Sequence, residues 1–112
     1  MATLTQTFDD RVRPLTAALD EALTVIGAKW VRWAADGYRV TAVRHWSFFN
    51  RGERLTITVA KNGKIAVQSE NIDTFKKYSL FGDRSAETNR RNCEDLLDSV
   101  EDCLDKRCHA SR

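Results

Sequence analysis

Leu55–Gln68 reads LTITVAKNGKIAVQ, and the fold is decided by how it is paired. Leu55, Ile57 and Val59 alternate with Thr56, Thr58 and Ala60, the period-two pattern of a half-buried strand. Ile65 and Val67 resume the alternation after Asn62-Gly63, a strong hairpin signal. A two-residue Asn-Gly turn would pair Val59 with Ala66 and put the apolar residues of the two strands on opposite faces. A three-residue loop, Lys61-Asn62-Gly63 with Gly63 left-handed in a bulge, pairs Val59 with Ile65 and Ile57 with Val67. Slipping a strand by one residue moves every side chain to the other face, so burial selects the bulged register.

Working outward, Tyr38–Phe49 is expected to be the preceding strand, with Val40, Ala42, Trp46 and Phe48 on the core face. An even-length turn at Asn50–Glu53 then pairs Phe48 with Leu55 and Trp46 with Ile57. Before it, Leu15, Leu19, Ala22, Leu23, Ile26, Trp30 and Trp33 recur at helical spacing, predicting a long helix from about Pro14 to Ala35 capped by Gly37. Gly27 falls inside that helix as a site of close backbone packing. Residues 1–13 read as a helical turn or arm.

After the hairpin, Glu70–Asp83 reads as a short helix ended by Gly82, or as a fourth strand. Ala86–Arg107 is an amphipathic helix whose stripe is Cys93, Leu96, Leu97, Val100, Cys103 and Leu104. The expected fold is therefore α+β, one domain over residues 1–112: a long N-terminal helix on a three-stranded antiparallel meander, then a C-terminal helix.

With 112 residues, 42% hydrophobic and 30% charged, the chain is large enough for a core without staples. No apolar run approaches ~20 residues, so no membrane partner is expected. The opening MATLTQTFDD lacks the pattern of a secretory leader, which by default reads as cytoplasmic. Cys93, Cys103 and Cys108 are odd in number, and on one helix the first two stand ~15 Å apart, too far to bridge.

Net charge is only +2, but charge is unevenly distributed. Between Lys29 and Lys64 stand eight basic residues against Asp36 and Glu53, while Glu94–Asp105 holds six acids and no base. The chain is thus basic on the sheet and acidic on the last helix.

The sequence contains no phosphate-binding glycine loop, nucleophile elbow, HExxH or CxxC pair. Cys103, Cys108 and His109 match no zinc spacing, so neither metal nor cofactor is expected. The outer sheet face carries Arg39, Val43, His45, Phe49, Arg54 and Lys64, a candidate interaction surface. Arg44 is the anomaly, because alternation puts it on the core face opposite Val59. It must be compensated in one of three ways. The strand bends, or the stem lies under the helix and the guanidinium reaches water. Arg44 pairs with Asp36, Glu70 or an acid of the last helix. Or it holds an anionic small molecule in a pocket lined by Trp30, Trp33, Trp46 and Phe48.

The order helix, three strands, helix is similar to that of the double-stranded RNA-binding domain. That family begins its second helix with a glycine- and lysine-rich segment that grips phosphates. Here the segment is Ser85-Ala86-Glu87-Thr88-Asn89, so the family is not assigned and nucleic acid is not the expected partner. The function expected is a small non-catalytic interaction protein that self-associates, as a dimer. The alternatives are a binder or enzyme for an anionic small molecule through Arg44, and nucleic-acid binding on the basic face.

Overall fold

The computed structural model describes residues 2–8, 12–45, 52–72 and 82–110, with backbone alone at 12–13, 82–86 and 106–110. The elements are β1 (Ala2–Thr7), α1 (Val12–Val25), β2 (Lys29–Trp33), β3 (Arg39–Arg44), β4 (Glu53–Val59), β5 (Lys64–Asn71) and α2 (Gly82–Ala110). The protein is α+β, with five antiparallel strands in the order β1-β5-β4-β3-β2. The expected helix-first order and three-stranded meander are both incorrect, because a strand lies on each side of α1. With them goes the element order shared with the RNA-binding domain.

The bulged hairpin is as expected. Val59 pairs with Ile65 and Ile57 with Val67. Gly63 sits at φ 87°, where a Cβ is disfavoured. The loop closes through Gly63 N–H to Ala60 O at 3.0 Å and Ala60 N–H to Lys64 O at 2.8 Å.

β1 occupies the first part of the stretch expected as a turn or arm. Ala2, Leu4 and Gln6 are half-buried while Thr3, Thr5 and Thr7 are exposed, and threonine at every second position suits a strand. It pairs antiparallel with β5, from Ala2 opposite Ser69 to Thr7 opposite Lys64.

α1 stops at Val25, ten residues short of the expected end. Gly27, at φ 77°, is its left-handed terminator and not an interior residue. Ala28 N–H donates to Leu23 O at 2.9 Å and Gly27 N–H to Thr24 O at 3.1 Å, the two bonds of a Schellman motif. Gly37, expected as the helix cap, instead makes the turn between β2 and β3, at φ 75°.

β2 therefore holds the tryptophans assigned to the helix. Lys29 faces Val43 and Arg32 faces Thr41, so Trp30 and Val31 together oppose Ala42 in a bulge, with Trp30 at φ 55°.

β3 is half the expected length. Val40 faces Ile57, Ala42 faces Leu55 and Arg44 faces Glu53, in place of the expected pairings of Phe48, Trp46 and Arg44. β3 ends at Arg44, and His45 follows it at φ 63°. Trp46, Phe48 and Phe49 lie outside the described residues, as does the expected element over 73–81. α2 begins at Gly82.

Both helices cover one face of the sheet. The core is Leu15, Leu19 and Leu23 of α1, Leu96, Leu97 and Val100 of α2, and Val40, Leu55, Ile57, Val59, Ile65 and Val67 of the strands. Among the described residues no helix is long and apolar enough to cross a membrane.

Candidate functional site

Two features of this fold are candidates: a polar network under α2, and the uncovered face of the sheet. The network starts at Arg44. Alternation puts the residue inward, as the sequence indicates, and α2 supplies the compensation. The Arg44 Nη1 donates to Asp95 Oδ2 at 2.9 Å and to Asn92 Oδ1 at 3.0 Å, while Nε donates to Ile26 O at 3.2 Å. The ion pair with an acid of the last helix, one of the three accounts, is present. Its guanidinium is thus engaged by acceptors from α1's end and α2.

Asn92 is fully buried and uses both sides of its amide. Its Nδ2 donates to Glu53 Oε1 at 2.9 Å and Ser69 Oγ at 3.2 Å. Ser69 donates onward to Asn89 Oδ1 at 2.8 Å, and Asn89 Nδ2 reaches Asn71 Oδ1 at 3.4 Å. A directional chain thus runs from β3 through α2 to β4 and β5. Among the described residues no buried side-chain polar atom lacks a partner. A network satisfied throughout fixes the rotation of α2 on the sheet, because any slip strands a buried polar group.

Glu53 is 2% exposed and stands at the rim of the network. His45 Nδ1 lies 2.7 Å from its Oε1. At that distance an N–H on Nδ1 would donate to the carboxylate oxygen. His45 is half-exposed, and its left-handed backbone turns it from the outer face, where alternation alone would put it, toward Glu53. A carboxylate-held imidazole can move protons, but it has no nucleophile beside it. The Ser69 hydroxyl is buried and taken up by two asparagines. Burial pushes the Cys93 thiol up, and the charge of Glu94 adds to this, against backbone hydrogen bonds led by that of Leu4. A protonated, buried thiol is inert. Among the described residues no group of three or more His, Cys, Asp or Glu could hold a metal ion.

Of the aromatic residues expected around Arg44, Trp46 and Phe48 lie outside the described residues. Trp30 is 60% exposed at the β2 bulge, near Val25 and Val31 in sequence, and all three are exposed. Trp33 is half-buried and donates from Nε1 to Asp20 Oδ1 at 3.0 Å. It lines a cleft of about 400 Å³ with Thr16, Ala17, Asp20 and Gly37, a set that does not include Arg44.

The second feature is the outer sheet face. The registers put Glu70, Arg54, Val43 and Lys29 in one row across the strands. Thr3, Gln68, Thr56, Thr41 and Arg32 form the next, and Thr5, Ala66, Thr58 and Arg39 the third. Thr7 and Lys64 end the face. The expected surface residues Arg39, Val43, Arg54 and Lys64 are therefore brought together. Sequence reasoning missed Lys29 and Arg32, which it had put on a helix, and Thr3, Thr5 and Thr7. It also missed Glu53, Ser69, Asn89 and Asn92, although two asparagines three apart at the head of an apolar helical stripe were a visible signal.

Neither the models of known protein families, nor the curated proteins, nor the solved structures searched contain a match to this chain.

Proposed function

We propose that this is a non-catalytic interaction protein that associates with copies of itself through the outer face of its sheet. One observation carries the reading. Both helices lie on one face of the sheet, and among the described residues the other face presents Lys29, Arg32, Arg39, Arg54 and Lys64 against the single acid Glu70. Charges of one sign on a flat face steer an oppositely charged surface toward it. The Arg44 guanidinium, held by Asp95, Asn92 and Ile26, favours a structural role over ligand capture. Light scattering across a concentration series in low salt tests the reading. The mass should rise with concentration, and Arg39→Gln with Arg54→Gln should abolish the rise without changing the circular dichroism. A constant mass of one chain at high micromolar concentration would remove the idea.

A second reading is favoured by His45, whose ring is half-exposed, held by a buried carboxylate and mounted on left-handed backbone. Such strain at a non-glycine residue recurs at sites that bind small molecules. On this reading an anionic metabolite should perturb the His45 ring resonances, and His45→Gln should abolish that response.

A further inference from the structure

We infer that the self-association runs head to tail, the outer sheet face of one copy seating on the outward side of α2 of the next. This rests on the function proposed above and names the partner surface. In the two-layer fold, α2 buries Cys93, Leu96, Leu97 and Val100 in the core it shares with the sheet and α1. At ~100° per residue, Asp98, Glu101, Asp102 and Asp105 then point away from it. All four are exposed.

The charges are matched in number and left over in the same way. Glu87, Glu94 and Asp95 are engaged by Arg91, Arg90 and Arg44 of the same chain. Among the described residues, Asp98, Glu101, Asp102 and Asp105 on one side are in no ion pair. Nor are Arg32, Arg39, Arg54 and Lys64 on the other.

The dimensions agree as well. Residues 94 to 105 of α2 extend ~16 Å at 1.5 Å per residue. From β5 to β2 there are three strand spacings, ~14 Å in all. A symmetric pair with sheet against sheet would set arginine against arginine. The acidic and basic surfaces lie on opposite sides of the molecule, so one contact between two copies cannot use both surfaces of each. The contact is therefore heterologous, and it grows into chains or closes a ring. Five strands of about six residues give a face of ~19 by ~20 Å, or roughly 400 Å² per copy. Twice that falls below the ~1,200 Å² of stable complexes, so the contact is weak and sensitive to salt.

Three proteins test this by sedimentation velocity in low and high salt: the wild type, a sheet variant and a helix variant. The sheet variant carries R32Q, R39Q and R54Q, and the helix variant D98N, E101Q, D102N and D105N. All substitutions are at exposed positions, and melting curves check that each variant folds. In low salt the wild type should grow past twice the 12.8 kDa chain mass. Each variant alone should stay at one chain. Their equimolar mixture should form a 1:1 complex and stop, because each supplies the surface the other lacks. Growth of the helix variant like that of the wild type, or a wild type that halts at two chains, overturns the head-to-tail arrangement while self-association stands. A wild type of one chain throughout overturns self-association itself. Binding of duplex RNA, lost in the sheet variant and without self-association, would give the face to a polyanion and overturn both.

Discussion

Arg44 and Asn92 carry unequal shares of the network they form, and the inequality is measurable. Replacing Arg44 by Met frees Asp95, which is 48% exposed and returns to water, so that ion pair contributes little. What is lost is one donor each to Asn92 and Ile26, an expected destabilisation of ~1–2 kcal/mol. Asn92→Leu removes the donor to buried Glu53 and Ser69 and an acceptor of Arg44 together. Breaking a buried charge-bearing network from one side costs about 3 kcal/mol or more. Urea denaturation should therefore rank Asn92→Leu well above Arg44→Met, and the reverse order would refute this account of the network. Cys93 gives a pH dependence. Its folded-state pKa is raised, so the unfolded chain loses the thiol proton first as pH rises. The stability linked to it is complete below the ordinary thiol value of ~8.5 and is lost as pH climbs through the raised value. The urea midpoint of the wild type should fall more steeply above that pH than the midpoint of Cys93→Ala. Parallel curves would mean the thiol is not linked to folding.

At the scale of elements, the β4–β5 hairpin was legible because two independent signals agreed: the turn residues Asn62-Gly63 and the need to keep Val59 and Ile65 on one face. Gly63→Ala should therefore destabilise the fold by about 1 kcal/mol or more, since φ 87° disfavours a Cβ. A thermal denaturation curve unchanged by the substitution would count against the strained turn. Elsewhere one pattern served two structures. Trp30 and Trp33 continue the three-and-four spacing of α1, yet they follow a Schellman stop at Gly27 whose bonds no periodicity reveals. The β3–β4 register was hidden for a different reason. A strand's end depends on where backbone turns left-handed, and His45 is a residue type for which that is uncommon but allowed. With the register wrong, Arg44 appeared to face Val59, and the cross-strand partner Glu53 was read as part of a turn. The anomaly was thus visible in the sequence while its resolution was not.

For the molecule as a whole, the division of charge needed no structure to detect, only to locate. What the sequence could not supply was the N-terminal strand, because its partner lies more than half the chain away. Ala2 pairs with Ser69 and Thr7 with Lys64, across a separation of 57 to 67 residues. That pairing has a consequence in time. A ribosome adding about 5–20 residues per second leaves β1 without a partner for roughly 3–13 s after it emerges. During that interval the hairpin of β2 with β3 can form, and β4 closes on β5 across a short turn as soon as β5 follows, whereas β1 must wait for a loop of nearly the whole sheet to close. Docking of β1 is then the late event of folding. Leu4→Ala should speed unfolding in stopped-flow experiments and leave the folding rate nearly unchanged. A slowed folding limb would place β1 in the nucleus instead. Until β1 arrives, β5 is an open edge bearing Ile65 and Val67, so the nascent chain is most exposed to misassembly at a strand that the finished protein covers on both sides.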